Sequence, residues 1–485
     1  MLVGMDHTVN LPSAVPKASS DPLPEIAEFL EPFASLFRRS QSRHSLERYI
    51  TGLLTDLDRK NCDTIAAARA GTSTERLQHL LTDAEWDSLK LDEARVRSLS
   101  AKSPKGGVLV LDDTSFPKQG KASVGVARQY CGALGKRANC QVVVSAEYVA
   151  DEPESSRPLH WPVSGRLYLP EGWANDLKRR ERSHVAEEVI FRIKPHIALS
   201  LVDLSREWEV PSEVVVADSG YGKYPSFLGG LEERKLSYVC GVESTFGVRL
   251  PEEVRAAKEA GAPPYKGRGQ PPKERPSPLY TARELIEGLP EEAWQTVSWR
   301  EGTKGTLSKQ MVALRAHRAT GSPRHSTDHE LVLTAAEGWL IGERALPGEP
   351  SSAENKEGEE QLKYFYSTLG AEVSWQRLAS VAKSRWAIEQ FYEDGKGECG
   401  LSDYQGRRWD GLHRHLALSM LAYSFLMLHS SVTTSVGSSS SGEAFFPLGQ
   451  AHHASGDPQA GDGVAAGGPG AMVHRNREDQ DLPTS

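Results

Sequence analysis

The stretch Gly107-Val108-Leu109-Val110-Leu111-Asp112-Asp113-Thr114 decides how this chain is read. Four consecutive apolar residues between a glycine and two acids form a strand buried on both faces, the pattern of a central strand in an α/β sheet. Acids at the C-terminal edge of such a strand lie where α/β folds place their sites, and a carboxylate there is costly unless a cation meets it. Further along, Glu213-Val214-Val215-Val216-Ala217-Asp218 repeats the arrangement and is followed by the turn Ser219-Gly220-Tyr221-Gly222. If the two strands lie side by side, Asp112 and Asp218 come within reach of one pair of metal ions. The alternation from Cys140 to Val149 predicts an antiparallel strand after the first.

A third acid lies in Ser384-Arg385-Trp386-Ala387-Ile388-Glu389-Gln390-Phe391-Tyr392-Glu393-Asp394-Gly395-Lys396. This reads as a helix ending near Gly395 or Gly397, with glycine supplying a left-handed cap. Arg385, Glu389, Tyr392 and Lys396 fall at i, i+4, i+7 and i+11 and share one face, while Trp386 and Phe391 point toward a core. A cation, a carboxylate, a phenol and a second cation in one row suit a site that holds a divalent metal and steers phosphates. Taken alone, Arg385 and Glu389 read as a surface ion pair of a few tenths of a kcal/mol. The two strand-end acids shift the weight toward the site.

At 485 residues, 38% hydrophobic and 25% charged, the chain has the composition of a soluble protein of two or three domains. The net charge of -8 argues against a uniformly basic nucleic-acid coat, so any such binding rests on local patches. One patch is evident: from Thr114 to Ala146 there are Lys118, Lys121, Arg128, Lys136 and Arg137 and no acid, a composition suited to a phosphate backbone. A second, from Thr303 to Ser326, holds Lys304, Lys309, Arg315, Arg318 and Arg324, again without an acid. The five cysteines form no C-x-x-C pair or zinc spacing and read as reduced, mostly buried thiols. His413 and His415, two residues apart, do not face each other as zinc ligands do. No eighteen-residue apolar run and no signal-peptide pattern occur, which predicts a cytoplasmic protein without a membrane partner. The absence of Gly-x4-Gly-Lys-Ser/Thr argues against nucleotide hydrolysis.

Four segments in order resemble a known family: Val110-Leu111-Asp112-Asp113-Thr114, Ser123 to Gly132 (SVGVARQYCG), Val216 to Gly222 (VADSGYG), and Arg385-x3-Glu389-x6-Lys396. Each is weak alone, but together they resemble bacterial insertion-sequence transposases with a DDE catalytic domain, the insertion-sequence 701 family above all, over roughly residues 25 to 430. The resemblance implies an RNase H-like α/β fold, a mixed sheet flanked by helices, and two Mg2+ ions, with Mn2+ as a substitute. It further implies double-stranded DNA partners, the inverted ends of an element and a target, handled by a homodimer. Carried over by position, Asp112, Asp218 and Glu389 become the catalytic and metal-binding acids. Asp113 is the alternative first acid, because adjacent strand side chains point to opposite faces. Arg385 and Lys396 match phosphate-contacting cations; the tyrosine of the related signature falls on Ala382, and Tyr392 on the same face stands in for it. Lys118, Lys121 and Arg128 complete the expected DNA contacts. Two alternatives stay open: an inactive, DNA-binding repressor, and a nuclease on the same fold.

The expected organisation follows from periodicity and composition. Residues 1–22 read as disordered, and 23–102 as a helical DNA-binding domain with a helix-turn-helix broken at Gly71-Thr72-Ser73 and aided by Arg38, Arg39, Arg43 and Arg48. Plain bundle packing is the commoner meaning of such a helix pair. Residues 103–240 hold the first part of the catalytic domain, with a helix from Ala186 to Trp208. Residues 241–370 form a strand-rich insertion containing a mobile Pro263–Pro278 loop and strands over Trp294–His317 and Glu330–Leu340, ending at Tyr364–Thr368. Trp294 and Trp299 are candidates to wedge against an extruded base, with core packing the more common role. Residues 371–430 form the helical last part, including a helix from Leu416 to Leu428, and 431–485 a disordered Ser, Gly and Ala-rich tail.

Overall fold

A computed structural model describes residues 23–152, 155, 158–262, 264, 266–267, 277–302, 305–319, 337–346 and 362–435. The expectations for residues 1–22, the tail beyond 435, most of the Pro263–Pro278 loop, the start of the Glu330–Leu340 strand, Lys304 and Arg324 lie outside the described residues.

The chain opens with helices, because apolar residues recur at spacings of three and four. In Ser40–Leu53 these are Leu46, Tyr49, Ile50 and Leu53, all buried, and in Thr74–Thr82 they are Leu77, Leu80 and Leu81. The helix Cys62–Ala68 starts on an Asn61–Thr64 capping box, and Thr74–Thr82 on the Ser73 hydroxyl, so the expected helix pair forms. These helices do not close a core of their own. Leu46, Tyr49 and Leu77 belong to the same apolar cluster as Val110 of the sheet and Ile388, Phe391 and Leu416 of the C-terminal helices. The buried Arg95 on the helix Ser88–Ser100 donates to the carbonyls of Pro162 and Val163 and pairs with Asp92, which ties this layer to the sheet.

Among the described residues, twelve strands form one sheet: β1 (Gly107–Pro117), β2 (Ala127–Cys131), β3 (Lys136–Val149), β4 (His160–Leu167), β5 (Ser212–Ala217), β6 (Ser237–Val242), β7 (Gly247–Arg249), β8 (Tyr280–Thr281), β9 (Gln295–Gly302), β10 (Gly305–Arg318), β11 (Glu337–Arg344) and β12 (Lys363–Ser367). Their order is β2-β3-β1-β5-β6-β12-β11-β10-β7-β8, with β4 also on β3 and β9 on β10. β1 pairs with β3 antiparallel, as the alternation from Cys140 predicts, and with β5 in parallel; β5 and β6 are parallel as well. All remaining pairs are antiparallel. A mixed α/β sheet flanked by helices is therefore found as expected, and most of its pairs are antiparallel. The strand-rich stretch after residue 241 continues this same sheet, because β12 returns to pair with β6.

Several boundaries differ from expectation. β1 does not stop at its acids but runs to Pro117, since Thr114, Ser115 and Phe116 are buried against β3. The helix expected from Ala186 begins at Lys194, with Pro195 in its first turn, where a missing N–H costs nothing. The Leu416–Leu428 helix extends over Trp409–Ser435. The helix Trp386–Gly397 passes through both glycines and ends at Glu398 in right-handed geometry; the positive φ falls at Gly400 instead.

Candidate active site at the junction of two parallel strands

The register of β1 against β5 places Leu111 beside Ala217, so Asp112 and Asp218 follow as neighbours where β5 ends. β5 ends because Asp218 caps the helical turn Ser219–Gly222, its carboxylate accepting the Tyr221 backbone N–H at 3.3 Å. That turn lies against β6 at a contact only glycines allow: a Cβ on Gly222 would sit 2.0 Å from the Gly241 carbonyl oxygen, and one on Gly241 would sit 2.9 Å from the Ser219 nitrogen. Backbone shape thus positions the second acid.

Asp112 accepts the Asp113 backbone N–H at 2.7 Å and a hydrogen bond from Arg385 Nη2 at 2.7 Å. The same Nη2 lies 3.5 Å from Glu389 Oε1, so one guanidinium joins two of the expected acids. Burial pushes the Asp112 carboxyl up to about 6; the Arg385 charge opposes this and the Asp218 charge adds to it. Burial disfavours the Arg385 charge most, but Asp112, Asp218 and Glu389 together raise its pKa. Glu389 itself is open to solvent, its side chain 63% exposed. Among the described residues no set of three His, Cys, Asp or Glu side chains is gathered in metal-binding geometry. Asp112 and Asp218 are brought together, and Glu389 reaches them only through Arg385.

Asp113 has other partners. Lys194 Nζ lies 3.0 and 3.1 Å from its two oxygens, and the buried Tyr221 hydroxyl donates to it at 3.3 Å. Sequence reasoning missed both. Tyr221 had a signal, since it stands three residues after Asp218 in the quoted turn, whereas nothing local marks Lys194, 81 residues from its partner.

Some expected DNA contacts are corrected by the geometry. Tyr392 is buried against the sheet, its hydroxyl 2.6 Å from Ser145 Oγ, so it presents no phenol to a phosphate. Lys118 donates to the Tyr404 carbonyl at 2.7 Å, and burial lowers its pKa to about 8. Arg315 is paired with Glu337 and Arg318 with Glu232, so that patch is partly neutralised by acids distant in sequence. Lys396 is half-buried with its ammonium 5.8 Å from the Tyr392 ring centroid, while Lys121 and Arg128 are exposed. Trp386, expected toward the core, packs half-buried against it, with the His160 ring and the Arg300 guanidinium as further neighbours. Trp294 and Trp299 are half-buried under Arg344 and Lys383. His415 bonds Tyr49 and His413 bonds the Trp409 carbonyl, neither toward a metal. All five cysteines are free thiols, four of them buried, and no described helix is long and apolar enough to cross a membrane.

A family model described as "DDE superfamily endonuclease" matches residues 32–306, more than half of the chain. Asp112 and Asp218 fall inside the matched stretch and Glu389 outside it. The chain is also similar to a curated protein of Microchaete diplosiphon named "Probable transposase for insertion sequence element IS701", with 27% identity over 237 residues. That alignment covers 48% of this chain and 58% of the relative's length.

Proposed function

Since this chain belongs to the DDE superfamily of endonucleases, we propose that it is an insertion-sequence 701 type transposase that binds the inverted ends of its element, cuts DNA and joins the ends to a target. The observation that carries this reading is the adjacency of Asp112 and Asp218 at the end of a parallel strand pair, with Arg385 beside them. The order β4-β3-β1-β5-β6, two antiparallel pairs then two parallel ones, supports an RNase H-like reading of the catalytic sheet.

Asp112 and Asp218 offer carboxylate oxygens at the junction, which fits a hard divalent cation, and their like charges give such a cation something to neutralise. Asp112 and Asp218 would hold Mg2+, or Mn2+ in its place, with Glu389 joining from the helix Trp386–Gly397. Two such ions supply charge to activate a water or 3'-hydroxyl and to stabilise the leaving oxygen. Asp113 is committed to Lys194 and Tyr221, which favours Asp112 as the ligand. Arg385, once freed from Asp112 and Glu389, is placed to pair with a phosphate, and Lys396 lies three turns along the same helix. The helices Cys62–Ala68 and Thr74–Thr82 are the candidate readers of the element's ends, and a dimer would bring two ends together.

The test is strand cleavage of DNA carrying the element's terminal repeats, with Mg2+ or Mn2+. Asp218→Asn and Glu389→Gln are expected to bind the repeats as wild type does and to leave them uncut. Normal cutting by either variant overturns the assignment. The exposure of Glu389 favours one second reading, a DNA-binding protein without catalysis; wild-type chain that binds the repeats but never nicks them under either metal would establish it.

A further inference from the structure

In the hairpin of β2 and β3, β3 lies beside β1 and β2 lies one strand further from the acids. Its register sets Arg128 opposite Asn139 and Tyr130 opposite Arg137. Strand side chains alternate, so these four share one face, and Ala127, Gln129 and Cys131 share the other. Tyr130 on that face is 66% exposed. Arg128 and Arg137 on this face are exposed, as is Lys136, which sits opposite Cys131 on the other face, and among the described residues none of the three has an ion-paired carboxylate. Together with Lys118 and Leu134, these cations line a concave surface of about 660 Å³, within the range that small-molecule sites occupy.

A tyrosine this exposed gains little from packing, and a single exposed aromatic needs no explanation. What calls for one is its setting. On a chain of net charge -8, the stretch from Thr114 to Ala146 reverses sign, and the ring sits at the centre of that reversal between two arginines. Cations that follow a phosphate backbone around an aromatic platform are the chemistry of single-stranded nucleic-acid binding. Duplex DNA matches the cations but hides its base faces inside the stack, so it has no use for the ring.

We propose that this hairpin face binds an unpaired stretch of DNA, with Tyr130 stacking on a base and Arg128 and Arg137 holding the adjoining phosphates. The proposal rests on the reading that the chain acts on DNA, and it adds the form of DNA that engages this surface. Unpaired strands are what cutting and rejoining a duplex exposes.

The experiment measures binding of the full chain, by fluorescence anisotropy in chelator, to a labelled 20-nucleotide single strand and to a blunt duplex of the same sequence. Tyr130→Ala should weaken single-strand binding about tenfold, a typical loss for one stacked base, and lower the preference for single strand over duplex. Tyr130→Phe should stay within about twofold of wild type, because the ring does the stacking. Arg137→Ala should flatten the dependence of log affinity on log salt by about 0.7 for the single strand. The proposal is overturned if Tyr130→Ala binds the single strand as tightly as wild type or loses both DNA forms equally. It is equally overturned if the only change is in self-association by sedimentation, which would make the face a contact between copies. Thermal melts of each variant separate loss of binding from loss of fold. No cutting occurs in chelator, so the two readings fail separately. Tyr130-dependent single-strand binding by a chain that never nicks DNA removes the transposase reading and keeps this one; a cutting chain indifferent to Tyr130 does the reverse.

Discussion

Replacing Gly222 by alanine tests whether backbone contact sets the position of Asp218. The added Cβ would meet the Gly241 carbonyl oxygen at 2.0 Å. Carbon–oxygen contacts seldom close below about 3.3 Å, so about 1.3 Å must be recovered by movement. Gly241 is in β6, held in the ladder between β5 and β12, and cannot supply it. The turn Ser219–Gly222 is left to move, and it begins at Asp218. Overpacking of this kind costs about 1–3 kcal/mol of stability. The larger effect is on chemistry, since displacing a reacting group by about 1 Å lowers rate about 100-fold. Cleavage of repeat-bearing DNA should therefore fall about 100-fold, while binding to the repeats, which does not use this turn, holds. Gly172→Ala, with nothing within 4 Å of its Cβ, is the comparison. Gly222→Ala that melts like wild type and cuts within about threefold of it would refute the reasoning.

Three further predictions concern single groups. Burial holds the Asp112 carboxyl at about 6 in the fold against about 3.9 when unfolded, so its contribution is fully present below about pH 4 and is lost, by up to about 3 kcal/mol, as pH rises through 6. Asp112→Asn should accordingly gain on wild type between pH 4 and 7 in denaturant melts with chelator, and a difference independent of pH would contradict this. Tyr392→Phe removes the 2.6 Å hydrogen bond to Ser145 and should cost about 1 kcal/mol in urea unfolding; weaker DNA binding at unchanged stability would return Tyr392 to the phosphates. Arg95→Ala strands the buried Asp92 and two β4 carbonyls and should cost about 3–5 kcal/mol, a figure that an unfolding shift under about 1 kcal/mol would exclude.

What could be read from residue order alone follows from the range of each interaction. Asp112 and Asp218 were legible because a fully apolar run is specified locally, and only the pairing of two such runs had to be assumed. The extension of β1 past its acids was not legible, because Thr114 and Ser115 are polar and are buried only once β3 covers them. Helical periodicity correctly placed Arg385, Glu389, Tyr392 and Lys396 along one face, but it cannot say where that face meets the protein surface. The sheet covers Tyr392 and leaves Glu389 in solvent, so a row that reads as uniform is divided between core and site. The second cationic patch is weakened for the same reason: Arg315 and Arg318 meet Glu337 and Glu232, acids 22 and 86 residues away. A patch free of local acids is a reliable signal only where the fold brings none from elsewhere. By that criterion the β2–β3 hairpin is the stronger DNA-binding candidate of the two, since its exposed arginines meet no acid among the described residues, whereas the basic run through β10 has lost two of its cations to pairing.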